Sequence, residues 1–359
     1  MALVDELRRI ALDSGLEEFG IAEAQVLERA RRELFARKSA GLSDDMGFTY
    51  RNPERSTDPF AAVQGARSVI VAARSYQRPD PMVPSALSAR VARYAWTDHY
   101  APLRDGLRAV ATHLRAAGHR AVAYADDNTV VDREVAHRAG IGWFGKNANL
   151  LVPGRGSWFV LGCVITDAVL PPSPAPVEDG CGTCHRCIDG CPTGAIVAPG
   201  VIDARRCLAW LVQKPGIFPM EFREALGDRI YGCDDCQDVC PINRRSDPAP
   251  EGVAAPELVA WVPVLELLDL DDATILERHG RWYLHGRDPV WVRRNALVIL
   301  GNTGDGQDAA VEASLVRYLQ HPNPVLRAHA VWAARRLGRN DLLPDTDSDP
   351  SVRAELIAP

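Results

Sequence analysis

The sequence predicts a multi-domain α+β fold, with an α/β domain at residues 1–170, a cysteine-rich domain at 171–250 and a helical domain at 251–359. Three observations predict it. Strand-like and helical patterns alternate in the first part of the chain, eight of its nine cysteines lie between residues 181 and 240, and a helical pattern recurs after residue 289. A chain of 359 residues also exceeds the usual size of one compact core.

The first domain is predicted from three strand-like stretches separated by helical segments. RSVIVAARSY at 67–76, HRAVAYAD at 119–126 and SWFVLGCVIT at 157–166 are rich in residues that favour strands. Residues 101–118 place apolar side chains at helical spacing. The glycine-rich stretch at 139–151 has neither the GxGxxG spacing nor a P-loop, so we expect no nicotinamide site there.

The first cysteine motif is Cys181-x2-Cys184-x2-Cys187-x3-Cys191-Pro192. This spacing is that of the bacterial ferredoxin motif for a [4Fe-4S] cluster. Three thiolates on one short loop can reach three irons of one cluster, while the displaced fourth thiolate binds a second cluster. The motif therefore predicts two clusters rather than one.

The second motif, Cys233-x2-Cys236-x3-Cys240-Pro241, lacks one cysteine of the full run, and Cys207 is the replacement. Zinc is the alternative for any CxxC pair, but the two Cys-Pro endings favour clusters. The crosswise rule gives two ligand sets: Cys181, Cys184, Cys187 and Cys240, and Cys191, Cys207, Cys233 and Cys236.

The ninth cysteine, Cys163, lies in a strand-like stretch and is predicted to be a buried thiol, not a ligand. Proline-rich segments at 171–180 and 246–257 are predicted linkers. The net charge of -6 argues against indiscriminate nucleic-acid binding. Because the chain has no long apolar run and its N-terminal segment is helical in pattern, we expect a cytoplasmic monomer without a signal peptide or membrane span.

The helical domain contains a repeated pattern. Val292-Arg-Arg-Asn-Ala296 recurs as Leu326-Arg-Ala-His-Ala330 and more loosely as Val352-Arg-Ala-Glu-Leu356, and a proline precedes each copy. Such a recurrence predicts a short, irregular array of HEAT-like helical repeats. Residues 281–340 contain nine arginines against four acids, which either contact phosphates or form a solvated helix face.

Together these motifs resemble the epoxyqueuosine reductase family, the cobalamin and iron–sulfur enzymes of tRNA modification. The resemblance covers nearly the whole chain. Besides the first cysteine motif, it is carried by RYAWTDHYAPLR at 93–104, DDNTVVDREVAHRAGIGWFGKN at 126–147, VIDARRCLAWL at 201–211 and RIYGCDDCQDVCPIN at 229–243.

The resemblance implies a function for each domain. Residues 1–170 would be the cobalamin-binding catalytic domain, residues 171–250 the ferredoxin-like domain with two [4Fe-4S] clusters, and residues 251–359 the HEAT-like domain that docks tRNA. The implied reaction reduces the epoxide of epoxyqueuosine, at the wobble position of tRNA, to the alkene of queuosine, the last step of queuosine biosynthesis. An external low-potential electron donor must supply the electrons.

The resemblance also implies site residues. The family's proton donor lies seven residues before the arginine that precedes the AGxG segment; counting back from Arg133 gives Asp126. The family usually has a small residue and then proline after this aspartate, whereas this chain continues with Asp127-Asn128-Thr129, so Asp127 is the alternative acid. Asp132 is expected to be structural, as a cap or as a partner of Arg133.

Arg55, Leu150 and Leu161 match the family positions that contact the corrin, and Asp126 would also face the cofactor. Ordinary core packing is the alternative for the two leucines. Given a tRNA substrate, the resemblance favours phosphate contacts for Arg293, Arg294 and Arg327.

The residues alone are compatible with two other functions. A corrinoid iron–sulfur reductase of a small molecule, such as an organohalide, would have the same cofactors but no need of a basic helical tail. A ferredoxin-type electron carrier would leave the N-terminal domain without a function.

Overall fold

The computed structural model describes residues 3–174, 176–245 and 258–358, so the predicted linker at 246–257 lies outside the described residues. The chain forms two units, each assembled from separate stretches of sequence. The first unit comprises Met1–Pro79, Thr97–Arg205 and Asp235–Ala255, and the second comprises Asp80–Trp96, Arg206–Asp234 and Pro256–Pro359. The division into three consecutive domains stays a prediction.

The helices, in chain order, are α1 Leu3–Asp13, α2 Glu28–Ser39, α3 Pro53–Ser56, α4 Pro59–Ala62, α5 Tyr100–Ala116, α6 Asp132–Arg138, α7 Arg186–Asp189, α8 Leu208–Leu211, α9 Met220–Leu226, α10 Asp235–Asp238, α11 Pro241–Arg245, α12 Val264–Asp269, α13 Asp272–His279, α14 Val290–Thr303, α15 Ala309–Leu319, α16 Pro324–Arg336 and α17 Pro350–Ile357. The strands are β1 Glu18–Glu23, β2 Ser68–Ser75, β3 Ser88–Val91, β4 Ala121–Ala125, β5 Trp143–Phe144, β6 Leu150–Leu151, β7 Phe159–Thr166, β8 Ile196–Ala198, β9 Val201–Ile202, β10 Arg229–Tyr231 and β11 Trp261–Pro263. None of the helices in the described ranges is long and apolar enough to span a membrane.

The first unit is built on a four-stranded sheet in the order β1-β2-β7-β4. The three predicted strands are confirmed as β2, β4 and β7. All three strand pairs are antiparallel, so this unit is α+β, and its description as α/β needs correction. Strand β1 was not predicted because glutamates flank it and Gly20 interrupts its apolar pattern. A Cβ on Gly20 would come within 2.3 Å of the carbonyl oxygen of Ala139, so the fold requires glycine there.

Helix α5, which confirms the prediction at 101–118, packs its apolar side on this sheet. Leu103 and Leu107 are 0% and 1% exposed, and complete burial of a leucine contributes about 2 kcal/mol. A Cβ on Gly162 of β7 would lie 2.5 Å from Leu107 Cδ1, so the helix approaches the strand closely at this point. This packing fixes α5, and with it Arg104, against the sheet.

The second unit contains a three-stranded sheet in the order β10-β3-β11 and the helices of the C-terminal part of the chain. The three copies of the repeated pattern lie in α14, α16 and α17, as predicted. Asn323 and Asp349 cap α16 and α17 by accepting hydrogen bonds from backbone N–H groups, and proline occupies the first helical position in both. The assignment of these helices as HEAT-like repeats stays a prediction.

The three arginines expected to contact phosphates are engaged within the second unit, so that prediction is wrong. Arg294 is 1% exposed and donates to the carbonyl oxygens of Leu211, Lys214 and Gly216 at 2.8, 2.5 and 2.9 Å. Arg293 and Arg327 form ion pairs with Asp272 and Asp347, respectively. The side chains of all three arginines are therefore structural.

We expect Arg294→Ala to lower the free energy of unfolding by about 3–5 kcal/mol, because it leaves several buried carbonyl oxygens without a donor. The matched control is Arg336→Ala. Arg336 pairs with Glu224 at the surface, with side chains 47% and 70% exposed, so its loss costs less than about 1 kcal/mol. Urea unfolding midpoints measure both values, and equal midpoints for the two variants would contradict the prediction.

The second unit contains two buried histidines, so we expect acid to destabilise it. Burial, and then Arg281 and Arg278, lower the pKa of His279 to about 4. Burial, and then Arg223, lower the pKa of His329 well below its usual value. Because the unfolded chain binds more protons than the folded chain between these pKa values and about 6.5, each histidine removes up to about 1.4 kcal/mol of stability per pH unit of acidification.

The His329→Gln variant tests this prediction. His329 Nε2 accepts a hydrogen bond from the N–H of Phe218, and its Nδ1 faces the carbonyl oxygen of Val325, so an amide can replace both contacts without titrating. Urea unfolding between about pH 7 and pH 5 should show a smaller loss of stability in this variant than in the wild type. A loss as steep as that of the wild type would exclude His329 as a contributor.

Candidate active site and cluster ligands

The four cysteines of the first predicted ligand set all belong to the first unit, and Cys187 is close enough to the other three to feel their charges. Burial raises the pKa of the Cys187 thiol, and the neighbouring Cys181, Cys240 and Cys184 raise it further. Three of these thiols come from the first motif, and Cys240 comes from the second, as the crosswise rule predicts. Four cysteine sulfurs in one neighbourhood form a donor set that suits an iron–sulfur cluster.

The loop that carries Cys181 and Cys184 is held at both ends. The N–H of Cys181 donates to Asp179 at 2.8 Å, and the N–H of Cys184 donates to the carbonyl oxygen of Cys181 at 3.0 Å. Lys146 Nζ donates to the carbonyl oxygen of Gly182 at 2.7 Å. Lys146 belongs to the GIGWFGKN segment, so that segment positions the cluster loop.

A buried polar network positions the second motif in the first unit. Gln237 Nε2 donates to Tyr76 Oη at 3.1 Å and to Ser157 Oγ at 3.0 Å. The N–H of Ser157 donates to Asn243 Oδ1 at 2.7 Å, and Asn243 Nδ2 donates to the carbonyl oxygen of Gln237 at 2.8 Å. A Cβ on Gly156 would lie 2.0 Å from Asn243 Oδ1. The network therefore depends on a glycine and ties α10 and α11 to the sheet.

The second predicted set of ligands is distributed over both units along the chain. Cys191 and Cys236 belong to the first unit, and Cys207 and Cys233 belong to the second. Cys191 Sγ accepts a hydrogen bond from the N–H of Ala195 at 3.2 Å, which orients this side chain. The assignment of these four cysteines to one cluster stays a prediction.

Asp126 directly follows β4 and has a left-handed backbone conformation, with φ of 54°. A non-glycine residue in this region is uncommon, and such strain concentrates at functional sites. The residue is exposed. Nevertheless, desolvation by its immediate surroundings raises the pKa of its carboxyl group; Arg104 lowers that pKa, and Asp127 and Asp98 raise it. The environment thus shifts this carboxyl group towards its protonated form, and a substrate can reach it.

The two neighbouring aspartates have different environments. Asp127 Oδ1 accepts a hydrogen bond from the N–H of Thr129 at 2.7 Å, so this carboxylate stabilises the local turn. Burial, and then Asp126, raise the pKa of Asp132 well above its usual value, while Arg133 lowers it. Asp132 is the first residue of α6, and the N-cap position, Val131, has no side-chain capping hydrogen bond. The pairing of Asp132 with Arg133 stays a prediction.

The residues predicted to contact cobalamin lie in the first unit. Leu150 and Leu161 are 5% and 9% exposed and belong to one hydrophobic cluster, which also contains the fully buried Cys163. Arg55 lowers the pKa of Tyr124 and therefore lies near that ring. It also lines a cavity of about 400 Å³ with Arg31, Asn52, Glu54, Asp58 and Ala61. The buried strand position of Cys163 is confirmed; the three cofactor contacts stay predictions.

Sequence reasoning did not identify Arg104, Asp98, Lys146 or Gln237 as parts of the site. All four belong to segments that carry the family resemblance, which was the available signal. Their functions depend on contacts with residues far away in the sequence, and a single sequence does not show such contacts. Position within a recognisable motif therefore identified the right segments but not the roles of these side chains.

Two family models match the chain. The model described as "4Fe-4S double cluster binding domain" matches residues 180–243, and the model described as "Epoxyqueuosine reductase QueG, DUF1730" matches residues 57–127. The first match decides between the two interpretations of the cysteines, in favour of iron–sulfur clusters over zinc.

Curated relatives and solved structures are similar over nearly the full chain. An epoxyqueuosine reductase of Bacillus anthracis is 35% identical over 90% of this chain and 86% of its own length. One of Bacillus subtilis is 32% identical over 94% and 88%. The crystal structure of epoxyqueuosine reductase with a tRNA-Tyr epoxyqueuosine-modified stem loop has 30% identity and a TM-score of 0.89, over 99% of this chain and 96% of that one. The Streptococcus thermophilus structure has 28% identity and a TM-score of 0.88, with coverage of 99% and 97%.

Proposed function

Because the chain belongs to the epoxyqueuosine reductase family, we propose that it reduces epoxyqueuosine in tRNA to queuosine. The observation that carries this proposal is the joint presence of a four-thiol ligand set and an exposed, strained aspartate whose pKa is raised. The first can hold an electron carrier, and the second can supply a proton. Reduction of an epoxide requires both.

The reaction consumes two electrons and two protons. The epoxide loses its oxygen as water, and the two ring carbons become an alkene. Each [4Fe-4S] cluster passes one electron at a time, so an external low-potential donor must reduce the protein repeatedly. The grouping of Cys181, Cys184, Cys187 and Cys240 supports one cluster; the other four cysteines are proposed to hold the second.

We propose Arg55, Leu150, Leu161 and Asp126 as cobalamin contacts. Ala125 of β4 pairs with Gly162 of β7, so Asp126 and Leu161 each directly adjoin this pair along the chain. The arrangement places an apolar wall beside an ionisable group, which suits the face of a corrin. When bound, cobalamin supplies a low-potential metal centre that can deliver electrons to a strained ring.

The proposed role of Asp126 follows from the leaving group. An alkoxide is a poor leaving group, so the epoxide oxygen must be protonated as negative charge develops on it. A carboxyl group whose pKa is raised holds a proton nearer neutrality than an ordinary aspartate does. Arg104 opposes this effect, so it limits how far the pKa rises and makes release of the proton to the epoxide oxygen easier.

The test is anaerobic incubation of the cluster-loaded protein with cobalamin, a chemical reductant and epoxyqueuosine-containing tRNA. Nucleoside mass analysis should show conversion to a product lighter by one oxygen atom. Omission of cobalamin should abolish the conversion. If the loaded protein binds the corrin and is fully reduced but leaves the nucleoside unchanged, the proposed function is wrong.

A further inference from the structure

Residues 281–285, RWYLH, alternate between the interior and the surface of the second unit. Trp282 and Leu284 are 4% and 5% exposed, whereas Tyr283 is 54% exposed. Arg281 and His285 also lie at the surface, and Arg287 follows them there. We call the outward side chains of Arg281, Tyr283, His285 and Arg287 the arginine–tyrosine strip. The strip itself contains no acidic residue, although the whole chain has a net charge of -6.

The strip rests on a stack of buried rings. The Trp282 ring is parallel to the Tyr231 ring, with centroids 4.7 Å apart and an angle of 7°, and it also stacks on His279 at 4.4 Å. The N–H of Tyr283 donates to Tyr231 Oη at 2.7 Å. These contacts fix the backbone of the segment, so Tyr283 presents its ring from a rigid base with little entropy left to lose on binding.

Arg287 extends the strip through a strained turn. Gly286 and Arg287 both have left-handed backbones, with φ of 63° and 55°. This conformation suits glycine but is unfavourable for arginine. A hydrogen bond at 2.8 Å from the N–H of Arg287 to the carbonyl oxygen of Leu284 helps to hold the turn. Arg287 Nη1 donates to the carbonyl oxygen of Gly280 at 3.4 Å. Arg287 forms no ion pair with the described part of the chain, so its charge remains available to a ligand.

We propose that the arginine–tyrosine strip binds the unpaired nucleotides of an RNA loop, with a base stacked on Tyr283 and a phosphate held by Arg287. The inference rests on the proposed function, which supplies an RNA substrate, and it names the residues that hold that substrate. Exposed aromatic rings beside cationic side chains are the arrangement with which proteins commonly bind single-stranded RNA. The side chains of Arg293, Arg294 and Arg327 are already bonded within the protein. We therefore assign to the strip the phosphate contacts first expected of these three arginines.

The experiment measures binding of an unmodified anticodon stem-loop RNA to the full-length, cluster-loaded protein by fluorescence anisotropy over a salt series. Tyr283→Ala should raise the Kd roughly 5- to 150-fold, and Tyr283→Phe should not, because stacking needs the ring and not the hydroxyl. Arg287→Asn, which tolerates the left-handed backbone, should reduce the slope of log K against log salt by about 0.7. The matched control Arg317→Ala removes an exposed arginine that is paired with Asp269 and should leave the Kd unchanged.

Wild-type affinity in Tyr283→Ala would overturn the proposal, and so would an equal loss of affinity for an RNA duplex that has no loop. If the variants bind RNA normally but lose turnover only when a small redox protein supplies the electrons, the strip is a protein-docking surface and the proposal is wrong. If the wild type binds the stem loop through the strip but cannot reduce epoxyqueuosine, the proposed function fails while the strip proposal stands.

Discussion

Cys184→Ala should remove about four of about eight irons per chain and abolish the reduction of epoxyqueuosine. The physical reason is that three thiolates hold a [4Fe-4S] cluster poorly, and an incomplete electron path cannot deliver two electrons to the substrate. Iron and acid-labile sulfide assays measure the first effect, and nucleoside mass analysis measures the second. The matched control is Cys163→Ala, since that thiol is fully buried in β7 and its loss should leave the iron content unchanged.

Double variants test how the ligands are grouped. Cys184 and Cys240 lie near the same thiol, Cys187, so Cys184→Ala combined with Cys240→Ala should lose no more iron than either single variant. Cys184→Ala combined with Cys236→Ala should instead lose both clusters. If the first pair loses all its iron, the crosswise assignment is wrong, even if the protein still proves to be an iron–sulfur enzyme.

Asp126→Asn should lower kcat by about 10²- to 10⁴-fold, the usual contribution of a positioned general acid. Asparagine tolerates the left-handed backbone at this position, so the loop should keep its conformation. Iron content and cobalamin uptake should therefore match the wild type, while turnover of epoxyqueuosine-containing tRNA is lost. Asp127→Asn is the matched comparison, because Asp127 is the alternative acid but its carboxylate accepts a hydrogen bond within a turn, so this variant should keep its turnover.

The pH dependence of kcat is a second test of the role of Asp126. The active form of the acid is protonated, so kcat should fall as the pH rises through the raised pKa of Asp126. Arg104 lowers that pKa, and Arg104→Gln should move the falling limb to higher pH. Wild-type turnover in Asp126→Asn together with an inactive Asp127→Asn would transfer the role to Asp127. An unchanged pH profile in Arg104→Gln would show that Arg104 does not tune the acid.

The cysteine ligands were the most predictable part of the site, because cluster chemistry imposes local spacing. The family model over residues 180–243 confirms a double-cluster domain, whereas the assignment of Cys240 to the first cluster stays a prediction. The strands β2, β4 and β7 were also predictable, since their apolar, β-branched stretches reflect burial in a sheet. Strand β1 was missed because Gly20 serves the close approach of Ala139, a constraint that local sequence does not reveal.

The arginines were predicted least well. A count of positive charges does not show which guanidinium groups the fold itself uses. Arg294 is buried against three carbonyl oxygens, whereas Arg287 is exposed on a strained turn. The same limitation applies to Asp126: counting from a motif located this residue, but its raised pKa depends on Arg104 and Asp98, which the fold brings close. Tertiary contacts decide the chemistry of these side chains.

The hydrogen bonds between the first unit's four-stranded sheet and residues 235–245 have a consequence for biosynthesis. Tyr76 and Ser157 leave the ribosome long before Gln237 and Asn243, their hydrogen-bond partners. Because translation adds about 5–20 residues per second, the polar groups of Tyr76 and Ser157 stay without these partners for several seconds. During that time they are exposed to solvent or chaperones. A polypeptide that stops at residue 205 would never receive these partners, so it should accumulate poorly in cells, although it carries every strand of the four-stranded sheet.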